Sequence, residues 1–458
     1  MKYQPIINSV SQHQVPSWYH DAKLGIFIHW GLFSVPAFAD TGIDLVESTK
    51  RGTEAHFKNN PYAEWYLNSL RVPDSSTRKY HSKTYGDEFT YDDFKHIFNK
   101  QIKNWDPKEW ASLFRKIGAK YVVFTTKHCD GFLMWPSKFP NPNKESYSAS
   151  RDIVGELTEA IKEEGMYMGF YYSSAWDWSF NLFPIKDGPS FVEHYISTSE
   201  YAKWVADHWY ELIDNYEPSI LWSDMGYPAE KNPLEIIAYF YNKFPEGVVN
   251  DRWNQYLPDE KKFKPIKHND FTTPEYKVFK KIRKKKWEVC RGIGNSFGYN
   301  KFESEKDYLS VKELIFLLVD IVSKNGNLLL NVGPTAEGQI PEIQKNRLLG
   351  LGKWLDVNGE AIFGTRPWKY AEGTTKEAIP VRFTCKENTI YIILLGIPKK
   401  KEIIIENISL EPISNIKLLG IEDQLSWKQK NGNLIIKLPA KTEESPAITF
   451  KTELKLNK

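Results

Sequence analysis

The sequence predicts an α/β protein, with a (β/α)8-like barrel followed by a smaller C-terminal antiparallel β-sandwich. Short, almost continuously apolar runs alternate with amphipathic helical patterns over roughly the first 360 residues, as buried parallel strands and their covering helices do. After about Thr365 the chain changes to short alternating runs separated by turn residues, which is typical of an antiparallel sandwich. We therefore expect a barrel domain over residues 1–365 and a sandwich domain over residues 366–458, with a doubly wound sheet as the alternative to the barrel.

Seven apolar runs are the candidate barrel strands, and an eighth candidate lies around Phe271. The seven are LGIFIHW (24–30), YVVFTT (121–126), YMGFYY (167–172), SILWS (219–223), GVVN (247–250), KWEVC (286–290) and NLLLNV (327–332). About eight β units that alternate with helices match the number of units in a (β/α)8 barrel.

Three of the intervening helices have readable ends. Residues 106–118 carry Asp106 as the N-cap and Pro107 at the first helical position, and Gly118 provides the stop. Residues 151–165 and 310–326 repeat this pattern of start, apolar face and stop.

The predicted sandwich begins near GTRPW (364–368). Its candidate strands are TIYIILLG, KEIIIENI, NIKLLG, LIIKLP and AITFKTEL. These runs contain no aromatic cluster that would require a carbohydrate-binding role.

The composition is that of an ordinary globular protein with an excess of aromatic side chains. The chain has 458 residues, of which 41% are hydrophobic, 26% charged and 15% aromatic, and its net charge is +3. So small a charge gives no reason to expect a nucleic-acid partner. The three cysteines are widely spaced and form no disulfide or CxxC pattern. We find neither an apolar run of about 18 residues nor a signal-peptide pattern, so we expect a cytoplasmic protein without a membrane partner.

Polar and aromatic side chains gather where the predicted strands end. They include His29, His128, Tyr171, Trp222, Asp224 and Arg252. Because a barrel builds its site at the carboxyl ends of its strands, we expect these side chains to face one pocket, and donors beside rings suit a neutral, hydroxyl-rich ligand. The two histidines lack the HxH or HExxH spacing of a metal site, so we expect no metal and no cofactor.

The segment SILWSDMGYP (219–228) carries Asp224 from a buried run into a turn marked by Gly226 and Pro228. A carboxylate at such a position is either a turn or cap aspartate, or a catalytic group. The local pattern is compatible with both interpretations.

The chain resembles the α-L-fucosidases of glycoside hydrolase family 29 in six segments. They are PSWYHDAKLGIFIHWGLFSVP (16–36), KYVVFTTKHCDGFLMW (120–135), SILWSDMGYP (219–228), NDRW (250–253), KWEVCRGIGNSFGYN (286–300) and GNLLLNVGPTAEGQIP (326–341). The similarity runs through most of residues 16–368 and is weak beyond them. It implies a (β/α)8-like catalytic domain, a C-terminal β-sandwich and retaining hydrolysis of terminal α-L-fucose without a metal.

The resemblance also implies catalytic roles. Retaining glycosidases use one carboxylate as a nucleophile and a second carboxyl group as the acid/base. The family's nucleophile corresponds to Asp224, and the acid/base of its bacterial members corresponds to Glu275 in DFTTPEYKV. Glu64 in NPYAEWY and Glu288 in KWEVC are the alternatives for the acid/base role.

The family's sugar pocket maps onto further positions of this chain. They are His29, Glu64, Trp65, His128, Tyr171, Trp222, Arg252 and Phe297. Phe297 would lie near the C6 methyl group that separates fucose from hydroxylated hexoses. One position departs from the family pattern, because many relatives have KHHDG where this chain has KHCDG. Cys129 is a weak donor, so we expect one hydroxyl contact to be lost or to be taken over by water or another group.

The sequence therefore predicts a retaining exo-α-L-fucosidase that acts on fucosylated oligosaccharides or glycosides through a covalent fucosyl-enzyme intermediate. The alternatives are a non-catalytic fucose-binding protein, a metal-dependent barrel hydrolase, and a related specificity such as that for α-L-galactosides. Because family relatives often associate, a homo-oligomer is a further expectation.

Overall fold

A parallel sheet of seven strands organises the first part of the molecule, in a computed structural model that describes residues 2–42, 45–410, 413–439 and 445–454. In chain order its strands are β1 (Leu24–Ile28), β2 (Tyr121–Lys127), β3 (Tyr167–Ser173), β4 (Ile220–Asp224), β5 (Val248–Val249), β8 (Trp287–Gly292) and β9 (Gly326–Val332). Between β5 and β8 the chain forms a separate small antiparallel hairpin of β6 (Gln255–Leu257) and β7 (Lys262–Lys264). The spatial order of the sheet is β5-β4-β3-β2-β1-β9-β8. Each of its strands coincides with a predicted apolar run, and nearly all of their residues are buried.

An irregular extended segment, residues 270–276, fills the gap between the edge strands β5 and β8. The amide of Asp270 donates to a carbonyl of β5 (3.0 Å), and the amide of Glu288 in β8 donates to the carbonyl of Thr272 (2.8 Å). The segment around Phe271 therefore takes the eighth position of the barrel. The predicted (β/α)8-like barrel is confirmed, and the doubly wound alternative is wrong.

The eighth segment stays irregular because its residues interrupt the pairing of strands. Pro274 has no amide hydrogen, and the amide of Thr273 donates to the side chain of Asp251 (3.0 Å) rather than to a neighbouring strand. Only isolated bridges to β8 are formed, one of them at Glu275. This part of the barrel wall therefore depends on side-chain bonds.

Fourteen α-helices accompany the strands in the described residues. They are α1 (Ile7–Val10), α2 (Ser17–Ala22), α3 (Leu45–Lys50), α4 (Thr53–Lys58), α5 (Tyr66–Arg71), α6 (Ser76–Tyr85), α7 (Phe94–Gln101), α8 (Pro107–Lys116), α9 (Ile153–Glu163), α10 (Gly188–Glu193), α11 (Ser199–Tyr216), α12 (Pro233–Lys243), α13 (Val311–Ser323) and α14 (Glu342–Asn358). Short 3₁₀ helices cover Leu32–Ser34, Ala63–Trp65, Tyr91–Asp93, Ile102–Asn104, Glu305–Asp307 and Gly359–Ala361. None of the described helices combines the length and the hydropathy needed to span a membrane.

The predicted helix starts are confirmed by their caps. Asp106, Asp152 and Ser310 precede α8, α9 and α13, and the side chain of each accepts a hydrogen bond from a backbone amide of the first turn. At α13 the carboxylate of Glu313 also accepts from the Ser310 amide, so both partners of a capping box are present.

Two antiparallel sheets form the predicted C-terminal sandwich. Its strands are β10 (Arg366–Thr374), β11 (Pro380–Lys386), β12 (Thr389–Leu394), β13 (Glu402–Ile405), β14 (Ile413–Leu418), β15 (Gln424–Leu425), β16 (Trp427–Lys430), β17 (Asn433–Lys437) and β18 (Ile448–Leu454). One sheet has the order β10-β11-β12-β18-β14-β15 and the other β13-β17-β16. The sandwich has its own apolar core, which includes Ile392, Ile436 and Phe450. The predicted runs cover β12, β13, β14, β17 and β18 and miss β10, β11, β15 and β16. Strand β16 was missed because its residues, WKQK, show no clear apolar alternation.

Helices α13 and α14 form part of the contact between the barrel and the sandwich. Arg382 of β11 donates to Asp320 of α13 (2.5 Å), and the indole of Trp354 in α14 donates to the carbonyl of Ala447 (3.0 Å). Strand β10 begins at Arg366, while the division of the domains at residue 365 stays a prediction.

Removal of the Ser310 hydroxyl should destabilise the barrel while its pocket stays intact. In Ser310→Ala the amide of Glu313 loses its side-chain acceptor, and the free energy of unfolding should fall by about 1 kcal/mol. Denaturation in urea measures this change. Ser310→Thr keeps the capping oxygen and serves as the control, so an equal loss of stability in both variants would contradict the role of the cap.

Candidate active site

Asp224 is the last residue of β4 and therefore lies at the carboxyl-terminal mouth of the barrel. The chain leaves the strand through a tight turn, in which Met225 has a φ of 55° and Gly226 a φ of 75°. A Cβ atom at Gly226 would come within 2.5 Å of the carbonyl oxygen of Asn254, so the turn requires glycine. This turn fixes the point at which the aspartate side chain leaves the sheet.

Two donors hold the Asp224 carboxylate. The hydroxyl of Tyr171 donates to Oδ2 (2.8 Å), and Nη1 of Arg252 donates to Oδ1 (2.9 Å). The Asp224 side chain is only 9% exposed, so these two bonds form in a site with little water. Burial and the charge of Asp224 raise the pKa of Tyr171 well above its ordinary value, so its hydroxyl keeps the proton that it donates.

Arg252 connects the two carboxyl groups that the sequence singled out. Its Nη2 donates to Oε2 of Glu275 (3.3 Å), while Nη1 donates to Asp224. The guanidinium carbon lies 4.6 Å from the ring centre of Trp222. Burial lowers the pKa of Arg252, but the charges of Asp224 and Glu275 outweigh this effect and raise that pKa well above its ordinary value. The arginine is therefore cationic.

The irregular eighth segment fixes the position of Arg252. Thr273 accepts a hydrogen bond from Nε with its hydroxyl (3.0 Å) and another from Nη2 with its carbonyl (3.1 Å). Asp251 in turn accepts from the amide and the hydroxyl of Thr273, at 3.0 and 2.7 Å. Side chains thus join the end of β5 to the segment that carries Glu275, where regular strand pairing is missing.

Glu275 is the more exposed carboxyl group of this pair. Its side chain is 27% exposed, and the hydroxyl of Tyr62 donates to its Oε1 (2.9 Å). A group that gives a proton to a leaving group and later takes one from water needs such access. The geometry therefore favours Glu275 over the two alternatives for the acid/base role.

Glu64, the first alternative, is almost completely enclosed. Its side chain accepts a hydrogen bond from the amide of Gly298 (2.7 Å), and the residue is 2% exposed. Burial raises the pKa of Glu64 to about 8, against the opposing effect of the Gly298 amide and with a contribution from the charge of Glu275. A neutral carboxyl group can donate to a sugar hydroxyl, so this position suits binding.

Glu288, the second alternative, faces the interior of the barrel with both oxygens occupied. The hydroxyls of Tyr19 (2.8 Å) and Tyr121 (2.6 Å) donate to Oε2, and the indole of Trp222 donates to Oε1 (3.0 Å). The residue has no exposed surface, and burial raises its pKa. An enclosed carboxyl group of this kind cannot reach a glycosidic oxygen. Its hydrogen bond with the indole N–H fixes the position of Trp222.

His29 and His128 form one wall of the pocket. Their ring centres lie 5.7 Å apart, and the His128 ring is stacked on that of Tyr171. Nδ1 of His29 donates to the amide oxygen of Asn331 (2.7 Å), whereas Nδ1 of His128 has no hydrogen-bond partner in the described part of the chain. Burial lowers the pKa of His29 to about 4 and that of His128 well below its ordinary value. Both rings are therefore neutral at physiological pH, and a neutral ring can donate one hydrogen bond and accept another.

Phe297, Trp65 and Trp222 supply the apolar surfaces. The ring centre of Phe297 lies 4.9 Å from that of His29, and Trp65 lies edge-on to Trp178 at 5.5 Å. Trp222 uses its N–H inside the barrel, so it offers the pocket a ring face and no donor. The structure thus brings the predicted site residues together at one end of the barrel.

Cys129, the position that departs from the family pattern, is fully buried. Its Sγ lies 3.2 Å from the hydroxyl of Ser173, and burial raises the pKa of the thiol. The thiol is therefore protonated and satisfied by a neighbouring strand. The expected loss of one hydroxyl contact, or its replacement by water or another group, stays a prediction.

Three side chains of the site were missed by reasoning from the sequence. They are Tyr62, which donates to Glu275, Thr273, which positions Arg252, and Asn331, which accepts from His29. A partial signal was present, since Tyr62 lies two residues before Glu64 and Asn331 lies near the end of a predicted strand. The hydrogen bonds themselves join positions far apart in the chain and leave no local pattern.

The assembled site offers two carboxyl groups, one fixed cation and several neutral donors and acceptors. Within the residues that the structure describes, no three His, Cys, Asp or Glu side chains form a group that could hold a metal ion. Nucleophilic attack by one carboxylate and proton transfer by the other are the chemistry that this arrangement provides.

Comparison with known proteins identifies the family. A family model described as "Alpha-L-fucosidase" matches residues 1–360, and a model of the α-L-fucosidase C-terminal domain matches residues 374–456. The chain belongs to the α-L-fucosidase family. The protein is therefore a glycoside hydrolase, and the resemblance found in the sequence is confirmed.

Individual relatives of the family agree over almost the whole length. The α-L-fucosidase of Dictyostelium discoideum is 34% identical over 438 residues, which cover 92% of this chain and 87% of the relative. A crystal structure of Thermotoga maritima α-fucosidase in complex with fucose is 42% identical, covers 98% of this chain and 100% of its own, and has a TM-score of 0.87. The complex of the same enzyme with a mechanism-based inhibitor is 43% identical with the same coverage and a TM-score of 0.88.

Glu64 should make the stability of this α-L-fucosidase fall as the pH rises from about 4.5 to about 8. Its pKa is higher in the folded state, so its contribution to stability is complete below pH 4.5 and is lost as the pH rises through about 8. The glutamine of Glu64→Gln does not ionise, so the variant does not lose stability in this way. Between about pH 4.5 and about pH 8, the unfolding free energies of the variant and the wild type should therefore diverge by up to about 1.4 kcal/mol per pH unit.

Chemical denaturation at several pH values measures this divergence. Glu230→Gln, which makes the same change at an exposed position, is the matched control and should follow the wild type. A difference between Glu64→Gln and wild type that does not change with pH would contradict the raised pKa.

Proposed function

We propose that this chain is a retaining exo-α-L-fucosidase in which Asp224 is the nucleophile and Glu275 the acid/base. One observation carries the proposal, namely that both carboxyl groups bond to the same guanidinium, that of Arg252, at the mouth of the barrel. Two neighbouring carboxyl groups are what a retaining mechanism requires. The comparison with the Thermotoga maritima enzyme, whose structures include a complex with fucose and one with a mechanism-based inhibitor, supports the substrate and the covalent chemistry.

In the first step, an oxygen of Asp224 attacks C1 of the fucosyl group. The bond between C1 and the glycosidic oxygen breaks, a bond between C1 and the aspartate oxygen forms, and Glu275 gives its proton to the leaving oxygen. Tyr171 and Arg252 hold the attacking carboxylate in place, so little rearrangement precedes the attack.

In the second step, Glu275 takes a proton from a water molecule that attacks C1. The ester bond to Asp224 breaks, fucose leaves with its original anomeric configuration, and the aspartate is again a carboxylate. Between the two steps Asp224 is an uncharged ester, and the charge of Arg252 then faces Glu275 alone. In this step Glu275 acts as the base, beside the guanidinium of Arg252.

The remaining predicted residues bind the sugar in this proposal. Neutral His29 and His128, together with protonated Glu64, exchange hydrogen bonds with its hydroxyls without burying a net charge. Phe297 and Trp65 provide apolar surface, and in this proposal Phe297 contacts the C6 methyl group. The cytoplasmic location and the homo-oligomer stay predictions.

Removal of the nucleophile should abolish turnover. Asp224→Gly should reduce kcat for an aryl α-L-fucoside by several orders of magnitude, on the order of 10⁴-fold or more, because no covalent intermediate can form. Azide should restore part of the rate by entering the space left by the carboxylate, with release of a fucosyl azide. Asp423→Gly, an exposed change in the sandwich, is the control and should retain full activity. Full activity of Asp224→Gly would refute the assignment.

Removal of the acid/base should penalise substrates according to their leaving group. Glu275→Ala should lower kcat/KM by about 10²- to 10⁴-fold for a fucoside of an unactivated alcohol, and much less for α-L-fucosyl fluoride, whose leaving group needs little protonation. Glu64→Ala should lower kcat/KM for both substrates alike, because Glu64 contacts the sugar in both. If Glu64→Ala shows the dependence on the leaving group and Glu275→Ala does not, the two roles are exchanged.

A further inference from the structure

A cavity shares Glu275, Tyr62 and Trp65 with the active site, and the proposed catalytic cycle gives the rest of its wall no task. Its volume is about 350 Å³, near the lower end of the range for small-molecule sites. Its wall includes Phe57, Tyr62, Trp65, Phe191, Met225 and Glu275. The helices α3 and α4 cover it, with Thr49 and Thr53 at its rim.

The position of the cavity relates it to the leaving group. An acid/base residue protonates the glycosidic oxygen, so whatever that oxygen carries must lie next to Glu275. Met225, in the same wall, directly follows Asp224 in the chain. A group that departs from a sugar held above Asp224 therefore passes into the space that Met225 and Glu275 border.

Aromatic rings dominate the surface of the cavity. The ring of Phe57 is stacked with that of Trp65, with centres 5.9 Å apart and planes at 26°, and the ring of Phe191 is tilted with its centre 6.4 Å from that of Phe57. Stacked rings of this kind bind flat apolar surfaces, such as an aryl group or the C–H face of a sugar ring.

The polar groups of the cavity carry little charge. His56 bonds to the hydroxyl of Ser48 through Nδ1 (2.8 Å), and burial lowers the pKa of this histidine, so it is neutral. Asn60 accepts a hydrogen bond from the amide of Tyr62 (2.8 Å). Among the described residues that line the cavity, Glu275 alone bears an ionisable carboxyl group, and no lysine or arginine lies in the wall. A neutral leaving group fits these surroundings.

We propose that this cavity is the binding site for the leaving group, and that Phe57 makes the enzyme prefer neutral leaving groups with a flat apolar face. The inference rests on the proposed function, because it places the departing group relative to Glu275. It concerns a part of the substrate that the fucose pocket does not contact.

Two substrates separate this site from the fucose pocket. An aryl α-L-fucoside fills the cavity with its ring, whereas α-L-fucosyl fluoride has the same sugar and a leaving group too small to reach the aromatic wall. Phe57→Ala removes one face of the stack, so kcat/KM for the aryl fucoside should fall by roughly fivefold to tenfold. For the fluoride it should stay within about twofold, and inhibition by free fucose should not change.

Phe302→Ala is the matched control, because Phe302 is 48% exposed and packs on Phe38 and Tyr80. It should leave both substrates unaffected. Since Phe57 is buried and its loss could unfold α4, Thr53→Trp provides a second variant, in which a large side chain enters the cavity from an exposed position. It should raise KM for the aryl fucoside and leave the fluoride unchanged.

The possible results are distinguishable. Equal losses for both substrates in Phe57→Ala would mean that Phe57 acts through the fold or the sugar pocket, and the proposal would be overturned. Unchanged rates for both substrates in Phe57→Ala and in Thr53→Trp would mean that the leaving group lies elsewhere, which also overturns it. If the wild type hydrolyses neither substrate, the proposed function itself fails, and that outcome is separate from any difference between variants.

Discussion

The site depends on one cation held between two carboxyl groups. Asp224 and Glu275 would repel each other if both were ionised, and Arg252 offsets this repulsion by bonding to both. The arginine can do so because Thr273 accepts from two of its nitrogens and Asp251 fixes that threonine. The position of the nucleophile, the acid/base and the barrel wall therefore follows from one set of connected hydrogen bonds.

The rest of the pocket is polar without being charged. Burial holds His29 and His128 neutral and raises the pKa of Glu64, so the sugar meets donors and acceptors that cost little to keep away from water. The permanent charge lies at Arg252, directly beside the reacting carboxyl groups. This separation matches a neutral substrate whose reaction develops charge only at C1 and the leaving oxygen.

Much of this arrangement was predictable because it is local. Strand β4 ends in a carboxylate before a glycine turn, and the N-caps of α8 and α13 can be read directly from Asp106 and Ser310. The enclosed position of the Glu288 side chain could not be predicted from a local pattern. Its enclosure depends on Tyr19, Tyr121 and Trp222, which lie on other elements, and only the closed barrel brings their donors to one carboxylate.

The two carboxyl groups of the site also differ in how far the sequence identified them, for the same reason. The local pattern of strand and turn marked Asp224 as a candidate, and the family resemblance gave it the role of nucleophile. The identity of its partner required both the family resemblance and the hydrogen bond from Tyr62, whose position 213 residues earlier in the chain no periodicity could reveal. The eighth barrel position was similarly difficult to predict, because Pro274 and Thr273 remove the regular pattern of a strand.

That irregular stretch has a consequence for how such enzymes diverge. A regular strand tolerates no insertion without a shift of register, so the aspartate is tied to one place in the sheet. The stretch around Glu275 has few ladder bonds to break, and it can gain or lose residues while the rest of the cylinder keeps its alignment. A change of length near Glu275 can therefore move the proton donor to a different point along the chain, while the attacking group keeps its place in the sheet.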